Sequence, residues 1–103
     1  ELAEKILEQE PEADGIYAAD ILGTAFLKVL RRMGRNVPEE FEIISTDGID
    51  ESNHAAISLS AVIQPAEMIA KEMARVLMGQ IEGHPVKKIK TIDVYMYNGD
   101  TTK

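Results

Sequence analysis

The stretch EIISTDGID, Glu42–Asp50, decides how this chain is read. Ile43 and Ile44 are β-branched, and Ser45 and Thr46 still suit an extended backbone, so the segment starts as a buried strand. It then stops at Asp47-Gly48, a pair common in turns. One reading is therefore a turn. The other is that a strand ends in a carboxylate because its carboxyl end faces a ligand.

Working outward, helix and strand patterns alternate. Toward the amino terminus, GIYAA (15–19) reads as a short buried strand. It runs into a helix over 20–33, whose Leu22, Phe26, Val29, Leu30 and Met33 fall on one face and are expected in the core. Asp20 is a candidate N-cap and Gly34 a C-cap. Residues 1–9 carry Leu2, Ile6 and Leu7 at helical spacing, and PEAD breaks that helix. Toward the carboxyl terminus, 51–57 reads as a short helix and SAVIQ (60–64) as a third strand. Pro65 opens a long helix with an apolar stripe of Met68, Ile69, Met73, Val76, Leu77 and Ile81, closed by Gly83. KTIDVYMYN (90–98) is a last strand, with Ile92, Val94 and Met96 on one face and Asp93, Tyr95 and Tyr97 on the other.

Strands separated by helices of 10–18 residues predict an α/β fold. The sheet is expected to be mostly parallel, three strands being neighbours in it, with helices on both faces in three layers. The helices over 20–33 and 65–82 are expected to pack on it, with the last strand at or near an edge. The first helix has no strand before it, so residues 1–103 are expected to be one lobe of a larger protein.

Composition narrows the function. A length of 103 residues with 45% hydrophobic content fits one domain, and 5% aromatics leaves packing to Ile, Leu, Val, Met and Ala. The formal net charge of −7 argues against this segment contacting nucleic acid itself. No cysteine means no disulfide and no thiolate metal site. No apolar run reaches the roughly 18–20 residues of a membrane helix. The amino terminus lacks the basic start of a signal peptide.

Three predicted strands end in polar residues: Asp20, Asp47 and Gln64. In open α/β sheets, ligands bind outside the carboxyl ends of the strands. Two carboxylates and an amide on one rim suit hydroxyls or amines. Each residue also has a structural alternative: a helix cap for Asp20 and Gln64, a turn for Asp47. No phosphate-binding glycine loop follows any strand. His54 and His84 lack the spacing of a metal site. Ser45, Ser58 and Ser60 lack a nucleophile elbow. We therefore expect no catalytic set, no metal and no cofactor. The five methionines fall mostly on helix core faces and are expected to serve packing, not soft-metal binding, and VKKIK (86–90) is expected to be a solvated basic loop.

The segment DGIYAADILGTAFLKVLRRMGRNVPEEFEIISTDGID resembles the effector-binding domain of bacterial LacI/GalR-type transcription regulators. There, a strand ends in Asn-Asp, a helix ends in Leu-Gly, and VPEDVSVVGFDD follows. LSAVIQPAEMIAKEMARVLMGQIEGHPV resembles the next strand, helix and loop, and NGDTT stands where the family has Arg-x-Ser-Thr. The resemblance covers nearly the whole chain. It implies the carboxyl-terminal lobe of a periplasmic-binding-protein-like (type I) domain, in a cytoplasmic regulator that responds to a sugar or related metabolite. The amino-terminal lobe and the helix-turn-helix that contacts operator DNA would precede this chain.

Carried over residue by residue, Asp47 matches the first Asp of the family's Phe-Asp-Asp, which binds ligand hydroxyls. Gln64 matches the Gln of Gln-Pro at the cleft, and Asp20 the Asp of Asn-Asp. Ala19 replaces the ligand-binding Asn, Thr46 a customary aromatic, and Gly48 the second Asp or Asn. On the 20–33 helix, Ile21, Ala25, Lys28 and Arg32 form a second stripe with Thr24 beside it. The resemblance implies a homodimer through this helix and the segment after the second strand. The expected patch is Ile21, Thr24, Lys28, Arg32, His54 and Ala55. The alternative is the extracytoplasmic sugar-binding protein of a transport system, which shares the fold and often shows Asp-Gly after the second strand. VPEEF and QPAEM favour the regulator.

Overall fold

The computed structural model describes residues 2–47 and 58–103. The elements are α1 (Leu2–Gln9), β1 (Gly15–Ala19), α2 (Asp20–Arg32), β2 (Glu42–Asp47), β3 (Ser60–Ile63), α3 (Ala66–Ile81) and β4 (Tyr95–Tyr97). The helix expected over 51–57 lies outside the described residues. The chain divides into two compact units, one of Glu1–Ile63 with Met96–Lys103, the other of Gln64–Tyr95.

In the first unit the strand order is β1-β2-β3-β4. The first three strands are parallel, as expected, with Ile16 opposite Ile43, Ala19 opposite Thr46, Ile44 opposite Ser60 and Asp47 opposite Ile63. β4 is the edge strand and is shorter than the sequence pattern implies. Side chains alternate across β2, so Ile43 and Ser45 are buried on one face. Helix α2 lies over that face. A Cβ at Gly23 would sit 3.5 Å from Ile43 Cγ2 and from Leu59 Cδ1, and 3.6 Å from Ser45 Cβ.

That close approach corrects the expected core face of α2. Gly23, Phe26, Leu27, Val29 and Leu30 are buried, whereas Leu22 is 46% and Met33 52% exposed. The smallest residue sits over the sheet, and this turns Leu22 and Met33 outward. Ala3 and Leu7 of α1 join Phe26, Leu27, Leu30, Phe41, Ile43 and Leu59 in one core.

Helix α2 ends as its sequence implies. Gly34 adopts φ 73°, its N–H donates to the Arg31 carbonyl, and the Arg35 N–H donates to Leu30. This pair of bonds is the Schellman arrangement, which satisfies carbonyls the helix leaves open. The start differs from expectation. Ala19, not Asp20, takes the N-cap position and makes no side-chain capping bond. Asp20 is the first helical residue, where a carboxylate complements the helix dipole.

The residues after β4 stitch β2 to β3. The Ile43 N–H donates to the Thr101 carbonyl (2.9 Å), and Thr101 Oγ1 donates to the Ile43 carbonyl (2.6 Å) while accepting from the Ser60 N–H (2.9 Å). The Gly99 N–H donates to Ser60 Oγ, and the Asp100 N–H to the Ser58 carbonyl. The Asp100 carboxylate accepts from the N–H and hydroxyl of Ser58, which hold its pKa below the usual carboxylate range.

The second unit contains α3, with its apolar stripe where the sequence places it. No residue of α3 is buried, and Met68, Met73, Leu77 and Ile81 are 57–70% exposed. Within residues 64–95 there is one helix and no sheet layer against which that stripe can be buried. Gly83, at φ 75°, closes the helix.

Candidate functional site

The parallel register brings the ends of β1 and β2 to one rim. Ala19 pairs with Thr46, so the residues that follow, Asp20 at the start of α2 and Asp47 at the last position of β2, lie at the same end of the sheet. Asp20 is buried at 9% exposure, and Asp47 is half-buried. This is the carboxyl end of the parallel strands, the end at which open α/β sheets bind ligands.

Asp47 has φ 90°, which makes it the non-glycine residue with a positive φ among those described. The left-handed region costs most L-residues about 1–2 kcal/mol, and Asp and Asn tolerate it best. The last residue of β2, Asp47 itself, therefore takes the left-handed conformation. A carboxylate on such a turn has its direction set by the main chain. A left-handed Asp47 at the last position of β2 is compatible with both the turn reading and the rim reading, and the residues that would complete a turn lie outside those described.

Gln64 comes directly after Ile63, the last residue of β3 and the partner of Asp47 in the ladder. It belongs to the second unit and lines a cavity there with Glu67, Met68, Lys71 and Tyr95. Pro65 stands at the N-cap position of α3, one place earlier than a first-turn proline. Tyr95 is a lining residue that the candidate-site reading of the sequence did not include. Its alternation with Asp93 and Tyr97 puts it on the polar face of the last strand, where a large aromatic side chain needs a reason.

Four residues of the expected dimer patch lie among the described residues. Ile21 is 76% exposed, Lys28 and Arg32 are exposed, and Thr24 is half-buried. Arg32 donates to Glu4 Oε1 of α1 at 2.8 Å. His54 and Ala55 lie outside the described residues. Among the described residues, no group of three His, Cys, Asp or Glu is placed to hold a metal ion. No helix among them is long and apolar enough to cross a membrane.

Comparison with known proteins places this geometry. The family described as periplasmic binding protein-like domain matches residues 1–102. The HTH-type transcriptional regulator CelR of Thermobifida fusca is 35% identical over 89 residues, covering 85% of this chain and 26% of that protein. The ribose operon repressor of Bacillus subtilis (strain 168) is 37% identical over 86 residues, covering 82% of this chain and 26% of that protein. Among solved structures, a complex of the transcriptional regulator CelR with cellobiose superposes with a TM-score of 0.84 at 30% identity. That match covers 96% of this chain and 31% of the other. A LacI family transcriptional regulator from Arthrobacter sp. FB24 in complex with lactose gives a TM-score of 0.87 at 26% identity, covering 98% of this chain and 39% of the other. The chain spans about a quarter of the length of the curated relatives it matches.

Proposed function

The chain belongs to the periplasmic binding protein-like domain family, and from that premise we propose that it is effector-binding and dimerisation sequence of a LacI/GalR-type transcriptional repressor. The effector is a sugar or related small metabolite. The carrying observation is the shared rim: Asp20 and Asp47 lie at the same, carboxyl, end of neighbouring parallel strands, in a chain whose relatives are named as sugar-operon and HTH-type regulators. Those names favour a regulator over a transport protein.

In this reading residues 1–103 are the carboxyl-terminal part of the effector domain, and the protein works in the cytoplasm. Operator DNA is contacted by a separate DNA-binding domain, which suits the net charge of −7 here. Asp47, Gln64 and Asp20 bind the effector through its hydroxyls, and the chain performs no catalysis. Titration calorimetry of the full-length protein with ribose, cellobiose and lactose tests the effector class. Saturable binding of at least one sugar is the expected result, and binding of none of them overturns the sugar-responsive reading.

Dimerisation uses Ile21, Thr24, Lys28, Arg32, His54 and Ala55. Ile21 is the apolar anchor of that patch, 76% exposed on the outward stripe of α2. Two-fold contacts are the commonest oligomer geometry, and a charge placed at their centre meets its own copy. Light scattering on the full-length protein is expected to show a dimer that Ile21→Asp shifts toward monomer on dilution. A dimer unchanged by the substitution across the dilution series places the interface elsewhere.

A further inference from the structure

We propose that the cavity beside the start of α3 is a subsite for one ring of a neutral polyhydroxylated ligand, with Tyr95 as its stacking wall. The inference rests on the sugar-responsive reading and names residues that the rim alone does not. The cavity holds about 470 Å³ and is bounded by Gln64, Glu67, Met68, Lys71 and Tyr95. Small-molecule clefts typically measure about 300–1,000 Å³ and combine an apolar wall with a few convergent polar groups. This cavity has both parts. Tyr95 is 58% exposed and lines the space together with Met68, so an aromatic side chain is available to it. A sugar ring has the matching surface, because its axial C–H groups form an apolar face while its hydroxyls project around the edge.

The polar groups suit those hydroxyls. Glu67 and Lys71 lie one helical turn apart and pair at 2.7 Å, both largely exposed. The pair carries no net charge, and each member limits the other's freedom. A diol placed across it can donate to the carboxylate and accept from the ammonium. Hydrogen bonds to charged groups are the stronger kind. Gln64 adds an amide side chain to the lining. A second cavity in this unit, of about 540 Å³, has a different character: Lys87, Lys88 and Lys90 border Met73, Leu77 and Ile92. Among the described residues it lacks an exposed aromatic side chain, so the Tyr95 cavity is the better match to a sugar ring.

The test is titration calorimetry of the full-length protein, with ribose, cellobiose and lactose as probes. Tyr95→Ala is expected to weaken the binding of whichever probe the parent binds by about 2- to 12-fold, the range of an aromatic contact. Tyr95→Phe keeps the ring and is expected to stay within about twofold. Glu67→Gln breaks the ion pair and is expected to weaken binding as well. Asp47→Ala is run in parallel. If Tyr95→Ala and Glu67→Gln bind like the parent while Asp47→Ala does not, the subsite is overturned and the rim reading stands. If Tyr95→Ala weakens binding and Asp47→Ala leaves it unchanged, the subsite stands and Asp47 leaves the site. A parent that binds no probe overturns both.

Discussion

Replacing Asp47 by alanine is expected to weaken effector affinity about 10- to 150-fold, since a hydrogen bond to a charged group contributes about 1.5–3 kcal/mol. The alanine variant also carries a second effect. At φ 90°, alanine meets the steric cost of left-handed backbone that aspartate tolerates better, so it loses stability as well as the carboxylate. Glycine separates the two. Asp47→Gly removes the carboxylate and relieves the backbone, so it is expected to lose binding as fully as alanine does while unfolding later in urea than Asp47→Ala. Calorimetry with the sugar that the parent binds, beside a urea titration of each variant, reads both effects. Unchanged affinity in Asp47→Gly takes Asp47 out of the site. Equal stability of the two variants shows that the turn at Asp47 carries no strain.

The strands were the most legible part of this molecule, because their signal is local. Ile43 and Ile44 mark β2, and Gly34 and Gly83 mark helix ends through a conformation that glycine adopts freely. The facing of α2 was less legible. Apolar count puts Leu22 and Met33 in the core, yet packing follows the closest approach of backbone to sheet, and Gly23 sets that approach. Periodicity weighs a side chain by its hydrophobicity and gives a missing side chain no weight. The stripe of α3 was read correctly as a stripe, but burial is a property of what faces it, which lies beyond the helix's own sequence.

The rim was legible only as a pattern of strand ends. The sequence shows Asp20, Asp47 and Gln64 after three strands, and the register supplies what spacing does not, the pairing of Ala19 with Thr46 and of Asp47 with Ile63. The positive φ of Asp47 had no signal of its own, since Asp-Gly normally directs attention to the glycine. The Tyr95 cavity joins residues about thirty positions apart in sequence, and no local pattern anticipates that distance.

The carboxyl-terminal residues are the part least visible in sequence and the part whose disturbance should cost the fold most. Gly99→Ala is expected to destabilise the first unit by about 3 kcal/mol or more, from the loss of two buried hydrogen bonds and a part-buried one at roughly 1–3 kcal/mol each. A Cβ at Gly99 would lie 2.5 Å from the Ser58 carbonyl oxygen and 2.7 Å from the Leu59 carbonyl carbon. These are backbone atoms of a segment leading into β3, so they cannot turn aside as a flexible side chain would. The tail must move instead. Moving it opens the Gly99–Ser60 and Asp100–Ser58 bonds and draws Thr101 from between Ile43 and Ser60. Thr101 and Ser60 are both fully buried, so the groups left behind have no water to replace the lost partner. Thr101→Val keeps the shape and removes only the hydroxyl, so it is expected to cost less, about 1–3 kcal/mol. Against a total stability of about 5–15 kcal/mol for a domain, the glycine substitution removes a substantial fraction. Urea unfolding followed by circular dichroism gives both values. A Gly99→Ala midpoint equal to the parent's would show that the tail does not hold β2 and β3 together.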